Sequence, residues 1–245
     1  MRLEIATKTM PGSREINEDY VAYRLKDDAL IAVVADGLGG HDKGEVASEH
    51  VATYIVEHYS FEEPLQESLG KVIKAAQLSL LERQKAENSR KNAMKTTVVV
   101  LVIKGKTAYF AHVGDSRGYC FRKFRRYSRT IDHSVPQYLV LAGDIKEEEI
   151  RHHSQRSSLL RVLGTPWEKD AFELSKKISL KSARAFLLCS DGFWELIDEK
   201  AMQKLLKRSA SPDEWVAAMT ERVEQNGRGT KMDNFTACAV FVMEE

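Results

Sequence analysis

The stretch IAVVADGLGGHDKGE, residues 31–45, runs five apolar residues into an aspartate and follows it with glycines at 37, 39 and 40. Ile31–Ala35 do not alternate with polar residues, so a strand here must be covered on both faces. TVVVLVI (97–103) and FLLCS (186–190) have the same character. Further strands are predicted at 2–7, 19–25, 30–35, 107–112, 117–122 and 235–242. Short turns such as KGK (104–106) make neighbouring strands antiparallel. Sheets buried on both sides need helices outside them, and the sequence supplies these in pairs. Residues 44–59 repeat Ala47, Val51, Tyr54, Ile55 and His58 at helical spacing, and 64–87 repeat Leu65, Leu69, Val72, Ile73, Ala76 and Leu80. Ser134 and Ser211, each followed three residues later by Gln or Glu, are capping boxes that open helices at about 134–142 and 212–226; another helix follows Asp198.

Composition narrows the class. The 245 residues are 43% hydrophobic and 30% charged, with a formal net charge of +1, the profile of a soluble globular protein. No global field steers it to nucleic acid or to an anionic membrane. The longest apolar run, Val98–Ile103, is too short to span a bilayer, and the N-terminus lacks the apolar core of a signal peptide. Cys120, Cys189 and Cys238 sit in separate apolar runs. They read as reduced, structural thiols, which places the protein in the cytoplasm. No linker or repeat divides the chain, so residues 1–245 are expected to form a single domain. The polar, irregular segment at about 143–175 forms a small flap on it.

Acidic residues stand at strand ends. Asp36 closes IAVVA, Asp115 follows TAYFAHVG, and Asp191 follows AFLLCS. Glu18 and Asp19 open YVAYRL, and Asp233 precedes Asn234 and FTACAVFV. A single aspartate at a strand end is an ordinary turn residue. Five such ends, if they converge, crowd carboxylates whose repulsion only cations can relieve. All the donors are hard oxygens, which suits Mg²⁺ or Mn²⁺, and no cysteine–histidine zinc spacing is present. On this reading Asp36 offers its two oxygens to two metals, Gly37 lets a backbone carbonyl approach a metal, and Gly39–Gly40 turn the chain to present His41. A phosphate-cradling loop is the weaker alternative, because the lysine–Ser/Thr ending is missing.

REINED (14–19), VADGLGGHDKGEVAS (34–48), KTTVVVL (95–101), AHVGDSRGY (111–119), DHS (132–134), LLCSDGFWE (187–195) and DNFTACAV (233–240) occur in this order. Together they resemble the protein phosphatase 2C family of metal-dependent Ser/Thr protein phosphatases, in particular its short bacterial members. The resemblance implies an α+β fold, a four-layer α–β–β–α sandwich of two antiparallel sheets with helices outside. It also implies a centre of two Mn²⁺ or Mg²⁺ ions. Glu18, Asp36 and the Gly37 carbonyl would hold one ion and Asp36, Asp191 and Asp233 the other. Asp115, with Asp191, would form a weaker third site. Asp19 corresponds to a carboxylate that orients water, and Arg14 to the arginine that grips the substrate phosphate.

The implied reaction is in-line attack on phosphoserine or phosphothreonine by a hydroxide bridging the two ions, with no covalent phosphoenzyme. No cysteine lies in a Cys-x5-Arg loop. His41 is the candidate general acid for the leaving alcohol, against the simpler reading of an exposed loop histidine. His112 reads as packed or hydrogen-bonded core, His133 as ordering the turn before Ser134, and His50 and His58 as surface or boundary residues. The expected partners are proteins phosphorylated by a Ser/Thr kinase, and the kinase itself. A monomer is expected, without nucleic-acid or membrane partners. FRKFRRYSRT, with five basic residues between 122 and 129, reads as a solvated hairpin, or alternatively as a docking patch for acidic substrates. Arg151, Arg156 and Arg161 are further candidates for setting substrate choice. A pseudophosphatase and a two-metal nuclease are the rival functions; the complete acidic set argues against the first and the neutral charge balance against the second.

Overall fold

The structure is a computed structural model that describes residues 2–38, 43–61, 64–89, 93–123 and 126–243. The strands are β1 (Arg2–Met10), β2 (Asp19–Lys26), β3 (Ala29–Asp36), β4 (Val98–Lys104), β5 (Thr107–Val113), β6 (Arg117–Arg122), β7 (Arg126–Arg129), β8 (Glu173–Leu174), β9 (Ile178–Ser179), β10 (Ala183–Cys189) and β11 (Phe235–Met243). The helices are α1 (Gly44–His58), α2 (Leu65–Ala86), α3 (Val135–Ala142), the single turn α4 (Asp191–Trp194), α5 (Glu199–Arg208) and α6 (Pro212–Gly227). One sheet runs β1–β11–β10–β6–β7; the other runs β2–β3–β4–β5–β8, with β9 also pairing with β5. The registered pairs are antiparallel.

Side-chain alternation along these apolar strands divides the core into layers. Leu30, Ala32 and Val34 of β3, with Val99, Leu101 and Ile103 of β4, face Phe186, Leu188, Cys238 and Val240 of the opposite sheet. The intervening residues Ile31, Val33, Ala35, Val98, Val100 and Val102 pack against α1 and α2. On the far side, Leu187, Cys189, Ala237 and Phe241 meet Met202, Trp215, Met219 and Val223 of α5 and α6. Every residue from Leu30 to Ala35 is fully buried. Removing both strand faces from water requires an uninterrupted apolar sequence. The result is the α–β–β–α sandwich of two antiparallel sheets with helices outside.

Several local readings change. In α1 the buried stripe is Ala47, Ser48, Val51, Ala52 and Ile55; Tyr54 and His58 lie outside it and stack on each other at 4.0 Å. Ser134 and Ser211 accept from the backbone N–H of Gln137 and Glu214, but the reciprocal halves of the boxes differ. Gln137 accepts from Arg129 instead, and Glu214 accepts from the N–H of Ala210. The charged strand β7 has no apolar alternation and forms by pairing with β6. Its Arg129 is no surface charge: the side chain is 4% exposed and donates to Asp132, Gln137 and Glu147. Arg122 donates to Ser128. A docking patch spread over the hairpin therefore loses Arg129 as a member; residues 124–125 lie outside the described residues.

Arg117, on β6, is fully buried. It donates to both oxygens of Asp132 at 2.6–3.1 Å and stacks on Trp194, with its guanidinium 3.4 Å from the ring centre. Burial pushes the Asp132 carboxyl up, but Arg117 and Arg129 outweigh it and the net shift is downward. Removing this charge strands two buried guanidinium groups. Asp132→Asn is expected to cost about 3 kcal/mol, read as a lower midpoint in urea unfolding at pH 7. A loss no larger than that of an exposed aspartate would contradict the assignment.

Candidate metal and active site

Antiparallel pairing puts the end of one strand beside the start of the next, and this gathers the acids at one end of the sandwich. Asp36, the last residue of β3, is the register partner of Asp19, the first of β2. Asp191 follows β10 and Asp233 precedes β11, its neighbour, while Asp115 lies in the turn from β5 to β6. Arg14, Glu18, Asp36, Gly37, Asp115, Asp191 and Asp233 line one cleft of about 310 Å³. Asp19 lies behind it, buried, with Oδ2 accepting from Ser190 Oγ at 2.6 Å. Arg14 Nη2 donates to Asp233 Oδ2 at 2.9 Å. His41, with Gly39 and Gly40, lies outside the described residues.

The backbone around Asp36 is pinned on both sides. Its carbonyl accepts from Thr97 N–H and Thr96 Oγ, and its N–H donates to Thr97 Oγ. Thr97 Oγ also meets Ser116 Oγ at 2.7 Å, next to Asp115. Glycine at 37 meets a steric requirement that was not read in the sequence. A Cβ there would lie 2.3 Å from the Gly44 carbonyl oxygen and 2.7 Å from that of Glu18. Glycine is needed because the start of α1 and the Glu18 backbone press against this turn. Gly192 likewise lets the Asn234 carbonyl approach to what would be 2.1 Å from a Cβ, drawing the Asp191 and Asp233 segments together.

Other polar groups, which the sequence did not single out, hold the acids in place. Asn234 Oδ1 accepts from Glu18 N–H, and its Nδ2 donates to the carbonyls of Pro11 and Ile16. Ser48 Oγ donates to the Glu18 carbonyl. Trp194 Nε1 donates to the Asp115 carbonyl, and the Trp194 carbonyl accepts from Arg151 Nε. Trp194 was visible in FWE, but an aromatic in an apolar run reads as core unless its N–H partner is known. Arg151 also pairs with Glu199, Arg156 with Glu195, and Arg161 Nη1 lies 3.4 Å from His133 Nε2. Arg151 and Arg156 are thus held against the body of the protein, whereas Arg161 is exposed.

Desolvation, then repulsion from Asp19, Asp191, Asp115 and Asp233, pushes Asp36 well above the carboxylate range. Asp115 shifts the same way through burial and Asp191, and Asp191 through burial and Asp233. Glu18 is raised by burial and Glu45, and Asp19 is pushed up to about 7, chiefly by burial. Asp19 Oδ1 is buried and has no hydrogen-bond partner. Converging hard-oxygen donors that repel one another, with one buried acceptor unsatisfied, fit divalent cations such as Mg²⁺ or Mn²⁺.

A second cluster does not fit a metal. Ligand atoms of His112, His133 and Glu173 lie within 4.8 Å of one another. However, His133 Nδ1 accepts from Gly114 N–H, so its proton must sit on Nε2, the atom facing Glu173 and Arg161. His112 Nε2 donates to the Ile131 carbonyl at 2.6 Å, and the two rings stack at 4.5 Å. These histidines tie the Asp115 turn to the segment before α3. The three cysteines are buried and unpaired, with thiol pKa values raised by burial. No helix among the described residues is long and apolar enough to cross a membrane.

The profile of the family described as Protein phosphatase 2C matches residues 12–236. The chain belongs to this family, a class of serine/threonine phosphatases. It is 32% identical over 203 residues to the serine/threonine phosphatase stp of Listeria monocytogenes, covering 79% of each chain. It is also 32% identical to the serine/threonine protein phosphatase PstP of Mycobacterium tuberculosis, covering 99% of this chain and 45% of that protein. The crystal structure of Stp1 from Staphylococcus aureus superposes with a TM-score of 0.89 at 27% identity, covering 100% of this chain and 96% of that one. The catalytic domain of PstP in complex with 2 manganese ions gives 0.82 at 27% identity, covering 99% of both.

Raised carboxyl pKa values mean that the metal-free fold retains protons which the unfolded chain releases near pH 4. Stability from these groups is present below that pH and is lost as pH rises through the folded values, about 7 for Asp19. Saturating Mn²⁺ is therefore expected to raise the melting temperature more at pH 8 than at pH 5.5, because it replaces protons. An equal shift at both pH values in calorimetry would contradict the crowded-carboxylate account.

Proposed function

We propose that the protein hydrolyses phosphoserine and phosphothreonine in proteins, using two divalent cations held in the acidic cleft. The carrying observation is the convergence of Glu18, Asp36, Asp115, Asp191 and Asp233 on one cleft with Arg14 in its wall. The two manganese ions of the PstP structure support the cation number. Glu18, Asp36 and the Gly37 carbonyl would hold one ion and Asp36, Asp191 and Asp233 the other, with Asp115 and Asp191 forming a weaker third site. Bound there, the ions supply a low pKa for water and neutralise phosphoryl oxygens.

The remaining chemistry belongs to the chain. Arg14 can offer its guanidinium fork to two phosphate oxygens; its exposed side chain can exchange Asp233 for the substrate at low cost. Asp19, with Oδ2 held by Ser190 and Oδ1 free of partners, would orient the attacking water from behind the cleft. His41 is the proposed donor of the proton to the departing seryl or threonyl oxygen. The cysteines take no part, since a raised thiol pKa leaves no thiolate nucleophile at neutral pH. Three reduced thiols accord with a cytoplasmic location. The substrates are phosphoproteins, made by a Ser/Thr kinase and including it; the working form is a monomer.

Hydrolysis of a phosphothreonine peptide should require Mn²⁺ or Mg²⁺ and stop with chelator. Asp36→Asn and Asp191→Asn should each lower kcat/KM by on the order of a hundredfold or more. Arg14→Ala should act mainly by raising KM, about tenfold. Turnover that persists in chelator would overturn the proposal.

A further inference from the structure

A groove of about 550 Å³ adjoins the acidic cleft and shares Arg14, Ser157, Asp191 and Asp233 with it. We propose that this groove seats the substrate chain flanking the phosphorylated residue, and that Lys231 on its wall selects substrates with an acidic side chain there. The proposal rests on the phosphatase reading and deepens it. A phosphoresidue whose phosphate sits beside Arg14 must lead its polypeptide out of the cleft, and the shared wall makes this groove an exit.

The charge inventory of the groove singles out one cation. Arg14 is paired with Asp233, Arg156 with Glu195 and Arg151 with Glu199. Lys231 is exposed and has no ion-pair partner among the described residues. An incoming carboxylate meets Lys231 without breaking an existing pair, whereas an incoming lysine or arginine meets an uncompensated positive charge.

The backbone carrying Lys231 is fixed although its side chain is free. Ser13 N–H donates to the Met232 carbonyl at 2.9 Å, Met232 N–H donates to Ser13 Oγ at 3.2 Å, and Thr230 N–H donates to the Gly227 carbonyl. Gly12 (φ 59°) lies so close to the Asp233 carbonyl that a Cβ would sit 2.1 Å from its oxygen. The loop before β11 is thereby locked to the segment bearing Arg14. The backbone of Lys231 is thus fixed relative to the segment bearing Arg14, so its side chain reaches the same part of the groove in every complex.

The test measures kcat/KM with Mn²⁺ on phosphothreonine peptides carrying Glu or Lys at each flanking position. Rates are normalised to each variant's own turnover of p-nitrophenyl phosphate, so that any change in the cleft itself cancels. The wild type is expected to prefer Glu over Lys on one side of the phosphothreonine by about three- to tenfold, with the preference shrinking in high salt. Lys231→Ala should flatten this ratio and Lys231→Glu should invert it. A wild type indifferent to flanking charge, or a preference unchanged in Lys231→Glu, overturns the inference and leaves the phosphatase reading standing. Failure to hydrolyse any phosphopeptide, with metal-dependent turnover of the small ester retained, overturns the reading itself.

Discussion

Mutual repulsion among buried carboxylates is the interaction around which this molecule is organised. Asp36, Asp115, Asp191 and Glu18 all have raised pKa values through desolvation and, with Asp19 and Asp233 close by, through one another. Left to itself such a cluster would splay apart. It is held together because Asp36, Asp115, Asp191 and Asp233 sit at the end of, or in the turn beside, strands buried on both faces, while Glu18 and Asp19 open β2, which is paired along its length with β3. Moving one carboxylate would move a strand whose apolar residues are packed on two sides. The cost of assembling the charges is thus carried by a core far from them, and divalent cations are the species that would relieve it.

The turns between strands and site need their own bracing, and it is polar. Thr96 and Thr97 saturate the backbone of Asp36, Asn234 spans three backbone groups near Glu18, and Ser190 fixes one oxygen of Asp19. Trp194 joins the cleft to the buried Arg117–Asp132 pair, through its N–H to Asp115 on one edge and its ring beneath Arg117 on the other. Arg151 reaches the Trp194 carbonyl from the segment after α3. In that segment, expected from its composition to be a small flap, Arg151 and Arg156 are engaged with the body of the protein. Among the described residues lining the groove beside the cleft, the cation without an ion pair is Lys231, from a loop whose sequence shows no sign of it.

Much of the fold was legible because its strands are apolar in unbroken runs, a pattern only two-sided burial can explain. The acidic residues were legible because charged groups at the ends of such runs are costly unless they have partners. The hairpin carrying β7 was legible, but not the burial of its Arg129 in ion pairs with Asp132 and Glu147. The helical stripe of α1 was drawn too wide: Tyr54 packs on the edge of the core and stacks on His58, which is exposed. The steric need for Gly37 was hidden as well, because it depends on what presses against it: the backbones of Gly44 and Glu18, the latter 19 residues earlier in the chain.

The linear order of residues by itself determined which segments must be covered, which chain positions carry charge into a buried end, and which chemical kind of donor gathers there. These are properties of hydrophobic period and side-chain type, both of them local. Tertiary structure alone decided which acid faces which, that His133 carries its proton on the nitrogen facing Glu173, and which basic residues are already spent in ion pairs. Those outcomes depend on distances and hydrogen-bond directions between segments remote in sequence, and a chain of residues holds no record of them until it is folded.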